Sequence, residues 1–322
     1  MRNIVPAIAA LLLAVPATPA IAGPAPDPSA PTPVSVANSQ SVRFKSWVNG
    51  RDYQLSVAIP LMPPPKDGYP VLYLLDPHFM FGAAVDAVRM NAPDVVVVGI
   101  GYPLDDDAFV HDAAQDVIRA YPAIAGLIPA RTLAASALRG HDMTLGVTAE
   151  TWRIGGLPEL AEVSARRSGG LDAFLDMIEQ EVKPRVAQIA PTNPANTALF
   201  GHSLGWLAVL HALFTRPAAY RSFIAASPSI WAAPKLWEEE RQFSRTRATP
   251  RILLAVGAKE QDRQSAAKMV DNMREMARRL KSSSTKDHPL VVEDVVFEQE
   301  DHGSVQLPSL SRAIGFAFGK AG

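Results

Sequence analysis

The first apolar pattern in the folded part of the chain has a period of two. A large apolar residue stands at every second position from Tyr53 to Ile59, and a second partly apolar stretch, 42–48, precedes this run. Asn49-Gly50 lies between the two stretches, and both residues tolerate the positive φ of a tight turn. The pattern therefore predicts an antiparallel β-hairpin.

The rest of the chain contains short, nearly continuous apolar runs separated by longer segments. Runs of this kind are typical of strands that are buried on both faces, so they predict a sheet covered on both sides. The predicted strands are 71–75, 95–100, 197–200, 223–226, 252–256 and 290–297.

Helical patterns alternate with these strands. They cover Leu171 to Val186, Leu204 to Thr215, and a stretch ending at Leu280 in which methionines recur at helical spacing and are interpreted as core. The alternation predicts an α/β fold with a mostly parallel sheet, an N-terminal hairpin and helices on both faces. Strand and helix patterns no longer alternate over about 103–170. We interpret this segment as a lid-like insertion over the carboxyl edge of the sheet.

The N-terminal segment differs from everything that follows it. Arg2 precedes an apolar run from Ile4 to Val15, and Ala20-Ile21-Ala22 then offers small residues to a signal peptidase. Residues 1–22 are therefore interpreted as a cleaved signal peptide, with a retained anchor as the alternative. Residues 23–40 are predicted to be a Pro/Ala-rich linker and residues 41–322 a single α/β domain that includes the insertion. The mature protein is expected to be secreted or periplasmic, with no membrane segment.

Composition narrows the possible functions. The chain has 322 residues, 31 Lys and Arg against 32 Asp and Glu, and no cysteine. A near-zero charge lacks the basic field that a phosphate backbone requires, so nucleic acid is not an expected partner. Without cysteine there are no thiolate nucleophiles, disulfides or iron–sulfur clusters.

The strongest local motif is Gly201-His202-Ser203-Leu204-Gly205, which lies between a predicted strand and a predicted helix. It fits the G-x-S-x-G nucleophile elbow in its required context. The turn is too sharp for side chains at the two glycines, and it leaves the serine exposed above the sheet. Ser203 is the candidate nucleophile.

A serine hydroxyl needs a histidine base and a group that orients this base, in the chain order serine, acid, histidine. His302 follows the last predicted strand and precedes a glycine, and we expect it to be the base; His288 is interpreted as a solvated loop residue. The acid should follow the strand 252–256. Glu260 is the first choice, Asp262 is the second, and a Ser-His dyad without an acid stays open.

From about Ser41 to Phe318 the sequence resembles the putative-esterase family of α/β-hydrolases, in particular the branch of siderophore esterases that hydrolyse enterobactin-like or bacillibactin-like triesters. The segments that carry the resemblance are 71–76 (VLYLLD), 98–102, 169–184, the elbow, 227–231 (SPSIW), the acid loop and 302–304. The resemblance implies the same roles for Ser203 and His302, and matches Glu260 more loosely.

The oxyanion of the tetrahedral intermediate requires two donors. The backbone N–H of Leu204 is one candidate, and the backbone of His78 is the other, since Pro77 has no N–H and stands where the family usually has glycine. Trp206 also replaces a glycine of the family. Trp206, Trp231 and Phe79 are expected to bind substrate.

The sequence thus predicts a secreted serine esterase that acts on a small-molecule ester, with siderophore-type esters as one possibility. This chemistry requires no metal ion and no organic cofactor. An acyltransferase of the same fold and a non-catalytic ligand-binding homologue are the alternatives. The oligomeric state stays open.

Overall fold

A computed structural model describes residues 34–154, 158–243, 249–263, 267–287 and 289–319. Residues 36–322 form one compact unit. The predicted signal peptide and residues 23–33 of the predicted linker lie outside the described residues, and so does His288. No helix in the described ranges combines the length and the apolar character that crossing a membrane requires.

One sheet of eight strands organises this unit. The strands are β1 Ser39–Lys45, β2 Asp52–Ala58, β3 Tyr69–Leu75, β4 Val96–Gly101, β5 Thr192–His202, β6 Ser222–Ala226, β7 Arg251–Gly257 and β8 Val291–Phe297. Their order is β1-β2-β4-β3-β5-β6-β7-β8. β1 pairs with β2, and β2 with β4, in antiparallel register, and the remaining neighbours are parallel. The predicted parallel sheet with a hairpin at its start is confirmed.

Helices follow most of the strands. They are α1 Pro77–Asn91, α2 Asp107–Ala120, α3 Ala130–Asp142, α4 Ala149–Ile154, α5 Ala161–Arg167, α6 Leu171–Met177, α7 Lys183–Ile189, α8 Leu204–Thr215, α9 Lys235–Gln242, α10 Glu260–Arg263, α11 Met269–Ser283 and α12 Gln306–Phe318. Short 3₁₀ turns lie at Pro122–Gly126, Pro158–Leu160 and Ile230–Ala232. Helices α2 to α5 lie in the segment 103–170, where the sequence shows no regular alternation of strand and helix patterns.

Apolar layers cover both faces of the sheet. In β3, Val71, Tyr73 and Leu75 join a core cluster with α6, α8 and α11, whereas Leu72 and Leu74 join a second cluster with α1 and α12. Alternate residues of a strand point to opposite faces, so a continuous apolar run is what a doubly covered strand requires.

The hairpin turn is wider than the Asn49-Gly50 signal predicts. β1 ends at Lys45 and pairs with Asp52, so the loop spans 46–51 instead of two residues. Ser46 explains the difference, because its hydroxyl donates to the buried carboxylate of Glu181 and accepts from the backbone N–H of Val48. The turn is thus shaped by a contact with a distant helical segment. The predicted helix 171–186 is also interrupted, by a π-helical turn at Ile178–Val182 that places Glu181 inward.

A buried aspartate joins α3 to the hairpin and to β4. The side chain of Asp142 accepts hydrogen bonds from the hydroxyls of Tyr53 (2.9 Å) and Tyr102 (3.1 Å) and forms an ion pair with Arg51 Nε (3.0 Å). Asp142 has no exposed surface. Because buried charge is tolerated only with such partners, these contacts fix one end of the insertion on the sheet.

Candidate active site

The loop after β5 presents a serine in a strained conformation. Ser203 has φ 57° and ψ −119°, between the last residue of β5 and the first residue of α8. A Cβ added to Gly201 would lie 2.9 Å from the backbone nitrogen of Trp206 and closer still to the carbonyl of Gly205. Only glycine fits that position, whereas the clash expected at Gly205 is not found, because the nearest atom to an added Cβ there is 3.5 Å away. The turn therefore has the geometry of a nucleophile elbow.

A histidine from a different part of the chain meets this serine. His302 lies in the turn after β8, and its Nε2 is 3.0 Å from the hydroxyl oxygen of Ser203. Its Nδ1 is 2.7 Å from a carboxylate oxygen of Glu260. A carboxylate only accepts, so Nδ1 carries the proton and Nε2 accepts from the serine hydroxyl. This tautomer is the one that a general base needs.

Glu260 begins α10, directly after β7, and only 3% of its surface is exposed. Its Oε2 accepts from His302, and its Oε1 accepts from the hydroxyl of Ser227 and the backbone N–H of Gly257, both at 2.8 Å. The carboxylate therefore has a partner for each oxygen and a fixed orientation. The side chain of Asp262, the alternative acid, lies outside the described part of the structure.

Two residues beside the triad were not assigned a part in catalysis from the sequence, which indicates for His202 only a structural position under the elbow. Ser227, at the carboxyl end of β6 with φ 54°, orients Glu260. His202 donates from Nε2 to the carbonyl of His302 at 2.9 Å, and the two rings lie 4.9 Å apart. Burial lowers the pKa of His202 well below its ordinary value, so its ring is neutral near pH 7. The signal that could have found both is their position at the carboxyl ends of parallel strands, where such sites assemble.

The expected oxyanion donors lie at two helix N-termini. Leu204 is the first residue of α8 and His78 the second residue of α1, and the N–H groups of a first helical turn have no acceptor within their helix. Asp76 precedes α1 in a left-handed conformation, φ 56°. A Cβ on Gly205 would lie 3.5 Å from its carboxylate, so the α1 terminus adjoins the elbow.

An arginine from the insertion ties these two loops together. The Arg139 guanidinium donates to both carboxylate oxygens of Asp76 at 2.8 to 3.1 Å, and to the carbonyl of His202 at 3.1 Å. The two side chains are 15% and 6% exposed. A bidentate pair in this setting is rigid and directional. The charge of Arg139 is therefore neutralised within the protein.

A cavity of about 280 Å³ opens at the serine. Ser203, Leu204, His302 and Trp231 line one part of it, and the insertion helices line the rest. The structure thus places Trp231 beside the candidate triad, and its contact with substrate stays a prediction.

The other two predicted substrate contacts lie elsewhere. Trp206 has no exposed surface and does not line this cavity, because α8 is buried on all sides from Leu204 to Phe214. The ring of Phe79 packs against that of His78 at 4.3 Å, and both residues line a separate pocket beside Tyr102. For Trp206 the expectation of direct substrate contact is therefore corrected, whereas for Phe79 substrate contact stays a prediction.

Comparisons with known proteins agree with this arrangement. The model of the family described as putative esterase matches residues 143–295, a range that contains Ser203 and Glu260. The ferri-bacillibactin esterase BesA of Bacillus subtilis (strain 168) is 33% identical over 291 residues, which are 86% of this chain and 88% of that protein. The siderophore triacetylfusarinine C esterase of Aspergillus fumigatus is 29% identical, over 89% of this chain and 96% of its own.

A solved structure extends the likeness to three dimensions. The siderophore hydrolase EstB from Aspergillus nidulans superposes with a TM-score of 0.69 at 25% identity, covering 91% of this chain and 99% of that one. The predicted fold class is confirmed. The sequence identity and the shared fold both extend over most of the chain. The chain is therefore a hydrolase that belongs to the putative-esterase family of α/β-hydrolases, in the branch of the siderophore esterases.

Proposed function

We propose that the chain is a secreted serine esterase that hydrolyses carboxylic esters through an acyl-enzyme on Ser203. The observation that carries the proposal is the unbroken line of hydrogen bonds from the hydroxyl of Ser203 through His302 to Glu260. These side chains follow β5, β8 and β7, far apart in the sequence. Their meeting at one edge of the sheet is difficult to explain by packing alone.

In the proposed reaction, Ser203 Oγ attacks the ester carbonyl carbon while its proton passes to His302 Nε2. Glu260 stabilises the imidazolium that forms. The tetrahedral oxyanion accepts from the backbone N–H groups of Leu204 and His78, each worth about 3 kcal/mol of barrier. When the ester C–O bond breaks, His302 returns its proton to the leaving alkoxide.

Deacylation repeats the sequence with water as the nucleophile. His302 takes a proton from the water, the hydroxide adds to the acyl carbon, and the bond to Ser203 Oγ breaks as the serine recovers its proton. The products are an alcohol and a carboxylic acid. The protein's own groups suffice for each proton transfer, so the proposed cycle uses no cofactor.

For the substrate we propose a small-molecule ester of siderophore type. The support is that relatives named as ferri-bacillibactin and triacetylfusarinine C esterases align over most of their length. Secretion is proposed on the N-terminal pattern of Arg2, an apolar run and Ala20-Ile21-Ala22. Neither nucleic acid nor a membrane is a proposed partner of the mature protein.

A panel of esters tests this function. The purified protein is expected to hydrolyse p-nitrophenyl acetate and to cleave apo and ferric triscatecholate trilactones, with larger kcat/KM for the trilactones. Ser203→Ala should lower each rate at least a thousandfold. Added sugar or glycerol acceptors should not divert the acyl group, as they would in an acyltransferase. Absence of hydrolysis with every ester would instead favour the non-catalytic alternative.

A further inference from the structure

The main chain of the candidate base is held by a single hydrogen bond. The carbonyl of His302 accepts from Nε2 of His202 at 2.9 Å. Within the described residues, no other hydrogen bond reaches the backbone N–H or C=O of His302. Glu260 holds the ring only at Nδ1. The position of the backbone that carries this imidazole therefore depends on His202.

The remaining bonds of the turn after β8 are local. The side chain and the carbonyl of Asp301 accept from three backbone N–H groups further along the turn, at 2.9 to 3.0 Å. These bonds shape the turn, but they do not tie the main chain of His302 to the strand that leads to Ser203. The side chain of His202 does so, because it extends from the end of β5 to this turn.

His202 is itself held firmly. It is the last residue of β5 and pairs with Ala226 of β6. Its carbonyl accepts from the Arg139 guanidinium at 3.1 Å, and only 8% of its surface is exposed. A group on a strand of the scaffold holds its partner more precisely than a group on a loop does. His202 is therefore a rigid point from which the turn can be fixed.

The donor at this place is also neutral, which suits the chemistry beside it. Burial lowers the pKa of His202 well below its ordinary value, and its ring lies 4.9 Å from that of His302. In the proposed reaction His302 becomes an imidazolium. A lysine or arginine donor would place a second positive charge there and oppose the proton transfer. A neutral imidazole holds the carbonyl without this repulsion.

We propose that His202 is a positioning residue, whose bond to the His302 carbonyl keeps His302 Nε2 at proton-transfer distance from Ser203 Oγ, 3.0 Å. It acts through His302 and not on the substrate. The inference rests on the proposed esterase function and adds to it a residue that maintains the base. A displacement of about 1 Å can cost a catalytic site about a hundredfold in rate, so loss of this bond should appear in kcat.

Two substitutions of similar size separate the hydrogen bond from the volume of the ring. Glutamine carries an N–H donor near the position of Nε2, whereas methionine has no donor and adapts well to buried sites. With p-nitrophenyl acetate, His202→Met should lower kcat about tenfold or more and leave KM within about threefold, because proton transfer is affected and binding is not. His202→Gln should keep kcat within about threefold of the native value.

Each kcat is expressed per active site titrated with a fluorophosphonate. A merely structural role would lower the number of titrated sites and leave kcat per site unchanged. A His202→Met protein with nearly native kcat per site would overturn the proposal. So would a His202→Gln protein that loses as much as His202→Met.

His211→Asn is the control for stability. His211 is also buried, at 2% exposure, and its ring nitrogens contact Glu239 at 2.7 Å and Asp172 at 2.9 Å instead of the triad. Its replacement should lower the thermal unfolding temperature and keep kcat per site within about twofold. If His211→Asn lowered kcat per site as far as His202→Met does, the effect would be general loosening and the proposal would fail.

A third variant covers the case in which His202→Met does not fold. The amide of His202→Asn is one methylene shorter than that of glutamine and falls short of the His302 carbonyl, so it should show the same loss of kcat; a nearly native value would overturn the proposal. Ser203→Ala separates this inference from the function on which it rests. Acetate hydrolysis that requires Ser203 supports the esterase function whatever the His202 variants show.

Discussion

Replacing Glu260 by glutamine tests the proposed base most sharply, because the surroundings of this side chain dictate how the amide must lie. Oε1 accepts from the backbone N–H of Gly257, which can only donate, and from Ser227. The amide oxygen of glutamine must therefore occupy that site, and the NH₂ group must face His302 Nδ1. Two donors would then meet across 2.7 Å, the present separation of Oε2 and Nδ1.

The conflict is relieved only if His302 gives up its Nδ1 proton. In the other tautomer Nε2 carries the hydrogen and donates towards Ser203, so it no longer accepts the serine proton. A wrong tautomer of this kind lowers kcat by about 10³ to 10⁴, equivalent to about 4 to 5.5 kcal/mol of barrier. Glu260→Gln should show this loss with p-nitrophenyl acetate.

A matched substitution controls for the removal of one charge. Glu298 is exposed in the loop that leads to His302, and Glu298→Gln should retain nearly native kcat. Thermal unfolding of both variants shows whether each is folded. A folded Glu260→Gln protein that loses less than tenfold in kcat would refute the reasoning, and a Ser-His dyad would then be the better description.

Three other predictions concern the fold around the site. Gly201→Ala should prevent folding or abolish activity. Gly205→Ala should remain folded, because its Cβ would have no neighbour nearer than 3.5 Å. Equal stability of the two variants would contradict the elbow geometry. Asp142→Asn should lower the free energy of unfolding by about 2 kcal/mol in urea titrations, because Arg51 loses its buried counter-charge. The loss is moderate because the Arg51 side chain is itself 26% exposed to water. An unchanged unfolding midpoint would contradict this prediction. Burial lowers the pKa of His202 in the folded protein, so the unfolded chain binds the proton first as pH falls and stability is lost below about pH 6.5. From pH 7.5 to pH 5.5 the free energy of unfolding of the native protein should therefore fall by about 1.4 kcal/mol more than that of His202→Gln. Equal decreases would contradict a neutral His202 ring.

The sequence predicts the sheet because each strand that is covered on both faces leaves its own apolar pattern within a short stretch of the chain. Continuous apolar runs identify β3 to β8, and the elbow identifies Ser203, since both patterns are written within a few residues. Strand order explains why the side chains of Ser203, His302 and Glu260 converge, because the carboxyl ends of parallel strands lie at one edge of the sheet.

What the sequence does not reveal depends on contacts between distant segments. α8 is apolar on all its faces, so periodicity cannot tell which side Trp206 takes, and it lies in the core instead of the cavity. The width of the hairpin turn depends on Glu181, which is remote in the chain. The roles of Ser227 and His202 depend in the same way on which loops lie side by side.

Covalent trapping measures directly whether Ser203 is a nucleophile activated by His302. The native protein should react with a fluorophosphonate at one to one stoichiometry, and peptide mapping by mass spectrometry should place the adduct on Ser203. His302→Ala should react at least a thousandfold more slowly, since the hydroxyl then lacks its base. An ester-hydrolysing protein whose adduct lies on another residue, or one that His302→Ala labels at the native rate, would contradict the account.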